Sequence, residues 1–390
     1  MLTWEKNFMS KRPDGRYTGS LGALFASMRA SKPELAFDAE KINSKEKWDE
    51  WKTALRAKLI ELLRMPKATP QPDPVMLGSW PRDGYTLERW EFYPDSFSAV
   101  PVLILKPSNS NGPFPGVLCF PGSMHPKELL AGEPDLDNPN CHQYKYPDRN
   151  AQALYCVRQG YVAVAFDNPG TCELVEVDGN VENQGSMREK LVTGYIGMGT
   201  TYLGVSVFQK MRFLDWFKKQ PWVDSERLAL IGHSLGSEPA MAMGVLRDDI
   251  VAVVSNDFVC DERIRYCSIT NFAKADNGGI MHYVPGEWDY FSLPDILAAN
   301  APKYLAVNEG GAEDWIDKIR HSYAIAGVPE RLQVSYYPKY QTPGPKAPVP
   351  LYGLDFDKLY IDWCRVDVPD HSFRAEPSMK LLRKAFESVG

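Results

Sequence analysis

Leu228-Ala229-Leu230-Ile231-Gly232-His233-Ser234-Leu235-Gly236 is the stretch whose reading decides the fold. Its first four residues are a continuous apolar run, as in a strand buried on both faces. Pro239-Ala240-Met241-Ala242-Met243 follows and opens a helical pattern. Between them, Gly-x-Ser-x-Gly makes a sharp strand–turn–helix junction. So tight a turn forces a strained backbone on Ser234, and side chains at positions 232 and 236 would collide with neighbouring backbone. The strain holds the Ser234 hydroxyl out at the strand tip, over a helix N-terminus with free N–H groups and a positive dipole end. Ser234 is therefore the candidate nucleophile.

Working outward, short apolar runs predict further strands over 116–120, 161–166, 251–255, 304–307 and 332–337. Helical patterns over 150–159, 203–217, 239–246, 315–326 and 378–386 alternate with them. Residues 85–93 alternate polar and apolar and, with 100–105, form a hairpin-like antiparallel start. The pattern predicts an α/β fold, a mostly parallel doubly wound sheet of about eight strands, as the catalytic domain over 85–390. Residues 1–84 read as an N-terminal helical extension and linker. Asn43 or Ser44 caps a helix whose Trp48, Trp51, Leu55, Leu59 and Leu62 share one face, and Pro66 ends it. That face predicts a flap packed on the catalytic domain, or alternatively a contact with a second copy of the chain. Two segments, about 258–301 and 338–367, break the alternation. They would leave the sheet where its strands end, and so are expected to wall or cap a pocket.

The chain has 390 residues and a net charge of -6 with no dense Lys/Arg run, which argues against nucleic acid or an anionic membrane as partner. Seven cysteines at irregular spacing, without a Cys-x-x-Cys pair, argue against a disulfide framework or a zinc site. The start lacks the apolar stretch of a signal peptide, so a cytoplasmic location is the default, with a trimmed secreted form left open.

A serine hydroxyl needs a base to become a good nucleophile. In hydrolases carrying this elbow the chain order is nucleophile, acid, histidine. Only His282, His321 and His371 follow Ser234. His321 sits inside a helical pattern and His282 inside the first irregular segment. His371 lies after the last strand and before the last helix, so it is the expected base. The acid is expected just after the strand at 304–307, where Asp314 is favoured and Glu313 and Glu309 are alternatives. Asp257, at the end of the preceding strand, is a fourth. The oxyanion formed during acyl transfer calls for two backbone N–H donors: Leu235, and Ser123 (or Met124) in the loop Pro121-Gly122-Ser123-Met124. Met124, Tyr195, Phe258, Trp288 and Trp315 are candidate pocket walls, each of which also reads as core.

Together, Gly232 to Gly236, Pro121-Gly122-Ser123, Asp167-Asn168-Pro169-Gly170, Gln220-Pro221-Trp222-Val223-Asp224 and Tyr290-Phe291-Ser292-Leu293-Pro294-Asp295-Ile296-Leu297 resemble the dienelactone hydrolase-like branch of the α/β hydrolases. The acetyl xylan esterase-like members are nearest in pattern. The resemblance covers roughly residues 85–390. It implies the α/β-hydrolase fold and a serine carboxylic ester hydrolase that needs no metal or organic cofactor. The implied partner is a small or medium ester, for example an acetylated carbohydrate. The rival readings are acyl transfer or carbon–carbon hydrolysis by the same triad, and a catalytically silent binding module. True dienelactone hydrolases use a cysteine where this chain has Ser234, and many relatives have His-Gly where it has Pro121-Gly122.

Overall fold

The computed structural model describes residues 12–13, 16, 19–108, 112–133, 148–176, 184–265, 279–346 and 359–389. In chain order the strands are β1 (Val75–Arg82), β2 (Tyr85–Phe92), β3 (Val100–Pro107), β4 (Phe114–Phe120), β5 (Val162–Phe166), β6 (Val223–His233), β7 (Ala252–Asn256), β8 (Tyr304–Val307) and β9 (Leu332–Val334). The helices are α1 (Ser20–Ala30), α2 (Lys45–Leu63), α3 (Lys127–Ala131), α4 (Gln152–Arg158), α5 (Gln184–Gly197) and α6 (Tyr202–Phe217). They continue with α7 (Ser237–Leu246), α8 (Glu262–Arg265), α9 (Leu293–Ala298), α10 (Glu313–Ile325) and α11 (Ala375–Glu387).

All nine strands form one sheet in the order β1-β2-β3-β5-β4-β6-β7-β8-β9. β1, β2 and β3 run antiparallel to their neighbours, and every pairing from β5 through β9 is parallel. The expected doubly wound α/β sheet is therefore present, with β1 as an added ninth strand. β1 gives no sequence signal for a physical reason. It is largely exposed on both faces, and Gly78 and Pro81 interrupt it, so no apolar alternation develops.

The centre of the sheet shows why continuous apolar runs mark its parallel strands. On β6, Leu228 and Leu230 join the core on one face, while Ala229 and Ile231 join the core on the other. All four are wholly buried. Helices cover both faces, so no polar position is tolerated there.

In the N-terminal extension, the Ser44 hydroxyl accepts from the Lys47 N–H at 3.3 Å and caps α2. Trp48, Trp51, Leu55, Leu59 and Leu63 are buried along one face. Each such side chain contributes roughly 1.5–3 kcal/mol on burial. Trp48 Nε1 also donates to Ser322 Oγ on α10 at 2.7 Å. This face therefore packs into the same core as one face of the sheet. Parts of the two irregular segments, 266–278 and 347–358, lie outside the described residues.

Candidate active site

The turn after β6 has the strain its sequence predicts. Ser234 has φ 50°, in the left-handed region that non-glycine residues avoid. Holding it there costs on the order of 1–3 kcal/mol. The flanking glycines make room. A Cβ on Gly232 would sit 2.2 Å from the Gly236 carbonyl oxygen, and one on Gly236 would sit 2.4 Å from that of Phe120. Ser234 thus stands between the end of β6 and the first turn of α7, facing a cavity of about 230 Å³.

His371 lines the same cavity, after a short turn that precedes α11. Its Nδ1 lies 2.7 Å from Glu309 Oε2. Glu309 is fully buried just beyond the tip of β8. Its other oxygen accepts from Asn256 Nδ2 at 3.3 Å, and Tyr337 supplies a further hydrogen bond. Burial alone would push the His371 imidazole down. The charge and hydrogen bond of Glu309, with Asp257 adding, outweigh burial and lift it to about 9. Asp257, at the tip of β7, stands with Glu309 and His371 in one group whose ligand-type atoms lie within 4.8 Å of one another. Burial first, then the Glu309 charge, pushes Asp257 up to about 6, against the pull of His371 and Arg265. These three are the group among the described residues whose spacing suits a metal ion. Their spacing equally follows from a histidine bonded to its acid, with a second carboxylate alongside. Behind His371 lies His233, fully buried and pushed well down by burial and by the two imidazoles beside it, a neutral ring 4.8 Å from that of His371.

The expectation for Asp314 is corrected here. Asp314 lies in the first turn of α10 and lines a separate groove with Lys318 and His321. The carboxylate on His371 is Glu309, one of the alternatives. The chain turns sharply at Gly310 (φ 70°) and forms a bridge at Gly311, which carries the following residues off the strand tip. Of the three carboxylates at 309, 313 and 314, only Glu309, the one nearest that tip, is hydrogen-bonded to the histidine.

The loop expected to supply an oxyanion donor follows β4. Asn168 Nδ2 donates to the carbonyls of Pro121 (3.1 Å) and Gly122 (3.0 Å). Arg188 Nη1 donates to the Ser123 carbonyl (2.7 Å) and hydroxyl (2.8 Å). A trans peptide sets its N–H opposite its C=O. Pinning the Gly122 carbonyl on Asn168 therefore turns the Ser123 N–H the other way. Ser123 and Leu235 both line the cavity beside Ser234. Leu235 follows Ser234 at the start of the helical turn, where backbone N–H groups lack helical partners.

Of the expected pocket walls, Phe258 lines the cavity. The others do not. Trp315 is a core residue with 5% of its surface exposed. Trp288 packs edge-on against Tyr283, their ring centres 5.7 Å apart. Tyr195 packs beside Leu235, Tyr202 and Met281, one layer behind. Met124 directs its carbonyl to Cys172 Sγ at 3.8 Å. The walls that sequence reading missed are Arg265, His282, Val366 and Val368. Each lies in or next to an irregular segment, where periodicity carries no information about facing.

Residues 3–384 match the model of the Abhydrolase family. The chain belongs to this family. Among solved structures, a Bacteroides fragilis protein with the name "putative acetyl xylan esterase" is 34% identical, has a TM-score of 0.85, and is covered over 98% of its length by 97% of this chain. A glucuronoyl esterase from Solibacter usitatus shares the fold at 16% identity and TM-score 0.54, over 76% of this chain and 86% of that one. A Bacillus subtilis (strain 168) relative, "Putative hydrolase YtaP", is 24% identical over 209 residues, which is 52% of this chain and 62% of the relative. The chain thus spans somewhat under two thirds of that curated relative. The solved structures this Abhydrolase member resembles carry esterase names, and the curated relative carries a hydrolase name.

Proposed function

We propose that the chain is a serine carboxylic ester hydrolase acting on small or medium esters. An acetylated carbohydrate is the leading substrate class, in keeping with the name of its 34% identical relative. The observation that carries the reading is the line from Glu309 Oε2 to His371 Nδ1 at 2.7 Å, with His371 and Ser234 facing one cavity.

In this reading Glu309 fixes the tautomer. Its carboxylate accepts the Nδ1 proton, so the lone pair is left on His371 Nε2. His371 takes the proton of Ser234 as the serine attacks the ester carbonyl. The resulting imidazolium is stabilised by Glu309, with the Asp257 carboxyl beside it. The oxyanion is met by the N–H groups of Leu235 and Ser123, which the fold holds in place before the reaction begins. His371 then protonates the departing alcohol. Water, activated by the same imidazole, releases the acid from Ser234. No step draws on a metal or organic cofactor. Phe258, Val366 and Val368 supply the apolar surface that a short acyl chain would contact.

Ser234→Ala is expected to abolish p-nitrophenyl acetate hydrolysis and labelling by a fluorophosphonate probe. Hydrolysis retained by a clean Ser234→Ala preparation would sink the reading. A wild-type chain that neither hydrolyses esters nor takes the probe would favour a silent binding module.

A further inference from the structure

The elbow, the acid and the base come from three separate segments, and a single residue is bonded to all three. Asn256 is the last residue of β7 and wholly buried. Across the β6–β7 ladder it pairs with His233, the residue before Ser234. Its side-chain Nδ2 lies 3.3 Å from Glu309 Oε1 and 3.1 Å from the Ser372 carbonyl oxygen. Its Oδ1 accepts from the Arg374 N–H at 2.7 Å and from Asn308 Nδ2 at 3.4 Å. Its backbone carbonyl lies 3.2 Å from His233 Nδ1. The proposed acyl-transfer steps give Asn256 no role.

We infer that Asn256 is a positioning residue for the triad, whose amide holds Glu309 and the loop of His371 in the geometry that acyl transfer needs. The inference rests on the esterase reading and deepens it. A proton count supports it. A backbone carbonyl only accepts, so the neutral His233 ring carries its proton on Nδ1 and donates it to the Asn256 carbonyl. Asn256 Nδ2 also lies 3.0 Å from that Nδ1, but a protonated Nδ1 accepts nothing. The two amide protons therefore go to Glu309 Oε1 and to the Ser372 carbonyl. The Arg374 N–H can only donate, so the amide atom 2.7 Å from it is the oxygen. Both protons and both lone pairs of the amide are then used, as full burial demands. With Oε1 held by the amide, the Glu309 carboxylate does not turn, and Oε2 stays on His371 Nδ1. Ser372 and Arg374 flank the base closely in the chain and are held by the same amide, so acid and base are fixed to one another. An ionised aspartate would give no protons at this place, and glutamine is one methylene too long for a side chain with no exposed surface.

The test is steady-state hydrolysis of p-nitrophenyl acetate across pH by wild type, Asn256→Ala and Asn256→Asp, each checked for a cooperative thermal transition. Asn300→Ala is the control. Asn300 is equally buried and donates to the Met241 and Ile296 carbonyls at 3.2 and 2.9 Å, away from the triad. Its loss should lower the thermal midpoint and leave kcat within about twofold of wild type. Above about pH 9, where the wild-type ring is neutral, Asn256→Ala is expected to lower kcat by about 10- to 100-fold with KM little changed. Its kcat/KM limb should move to lower pH. A loosened Glu309 supports the imidazolium less, while Asp257 and Arg265, the other charged groups acting on the ring, stay in place. Asn256→Asp keeps the shape and the acceptor for Arg374 but loses both donors and sets a carboxylate against Glu309. Its kcat should fall into the same range, and it carries the test if Asn256→Ala does not fold. The inference is overturned if a folded Asn256 variant keeps kcat within about twofold of wild type, if the loss appears in KM instead, or if the pH limb of Asn256→Ala does not move. A wild type that does not hydrolyse the ester sinks the esterase reading and this inference with it. An active wild type matched by both Asn256 variants removes only this inference.

Discussion

Replacing Glu309 by Gln tests the assignment of the acid most directly. The carboxylate raises the His371 imidazole from its ordinary 6.5 to about 9, despite burial that would lower it. Each unit corresponds to about 1.4 kcal/mol of preference for the protonated ring, so the net stabilisation of the imidazolium is about 3 kcal/mol. That imidazolium forms as the serine attacks, so the same energy is lost from the transition state. Above about pH 9, where the wild-type ring is already neutral, the expected result is a fall in kcat on the order of 300-fold with KM little changed; at lower pH the larger neutral fraction in Glu309→Gln offsets part of that loss. A second readout separates this from mere damage. His371 acts as a base only when neutral, so wild-type kcat/KM should rise with pH through about 9 and then level off. Without the Glu309 charge the ring loses its proton more easily, and this limb should move to lower pH in Glu309→Gln. Steady-state kinetics on p-nitrophenyl acetate across pH, alongside Asp257→Asn and Asp314→Asn, make the comparison. Asp314→Asn is expected to behave as wild type. The reasoning is refuted if Glu309→Gln stays within a few-fold of wild type while Asp257→Asn loses the larger factor, or if the pH limb does not move.

Three other substitutions have defined outcomes. Arg188→Met removes the donor that holds both the carbonyl and the hydroxyl of Ser123, so kcat should fall by about 10- to 100-fold through the oxyanion loop, with His371 still titrating as before. Gly232→Ala places a methyl 2.2 Å from the Gly236 carbonyl oxygen, so esterase activity should be lost and the thermal midpoint lowered by several degrees in calorimetry. Lys210 is fully buried, bonded to Ser206 Oγ at 2.6 Å, and burial holds it down at about 7 against its usual 10.5. Between those values the unfolded chain binds a proton that the folded chain does not, so wild-type stability should rise with pH across that window, by up to about 5 kcal/mol. Lys210→Met should flatten this slope and gain stability at pH 7 and below, as read by urea denaturation at several pH values.

How far the site could be read from sequence follows from how each part is built. The serine elbow is a local object. Gly232, Ser234 and Gly236 constrain one another within five residues, and the apolar run before them reports a strand buried on both faces. Sequence pattern captures constraints of that range. The acid is a long-range object: Glu309 and His371 are 62 residues apart and meet only because β8 ends beside the loop before α11. Nothing between 308 and 315 says which carboxylate stays at the strand tip, because the turn at Gly310 makes that choice. Asp314 opens a helix, where an acid is favoured by the helix dipole whether or not it serves a histidine. The cavity walls were less legible still. Arg265, His282, Val366 and Val368 come from stretches without period, so neither spacing nor hydropathy says which way they face. The same division bears on evolution within the fold. The elbow cannot change without collision, whereas the walls can change without disturbing the sheet. A family built this way keeps its chemistry while its substrates diverge, so the specificity of this chain must be sought in the cavity walls and not at Ser234.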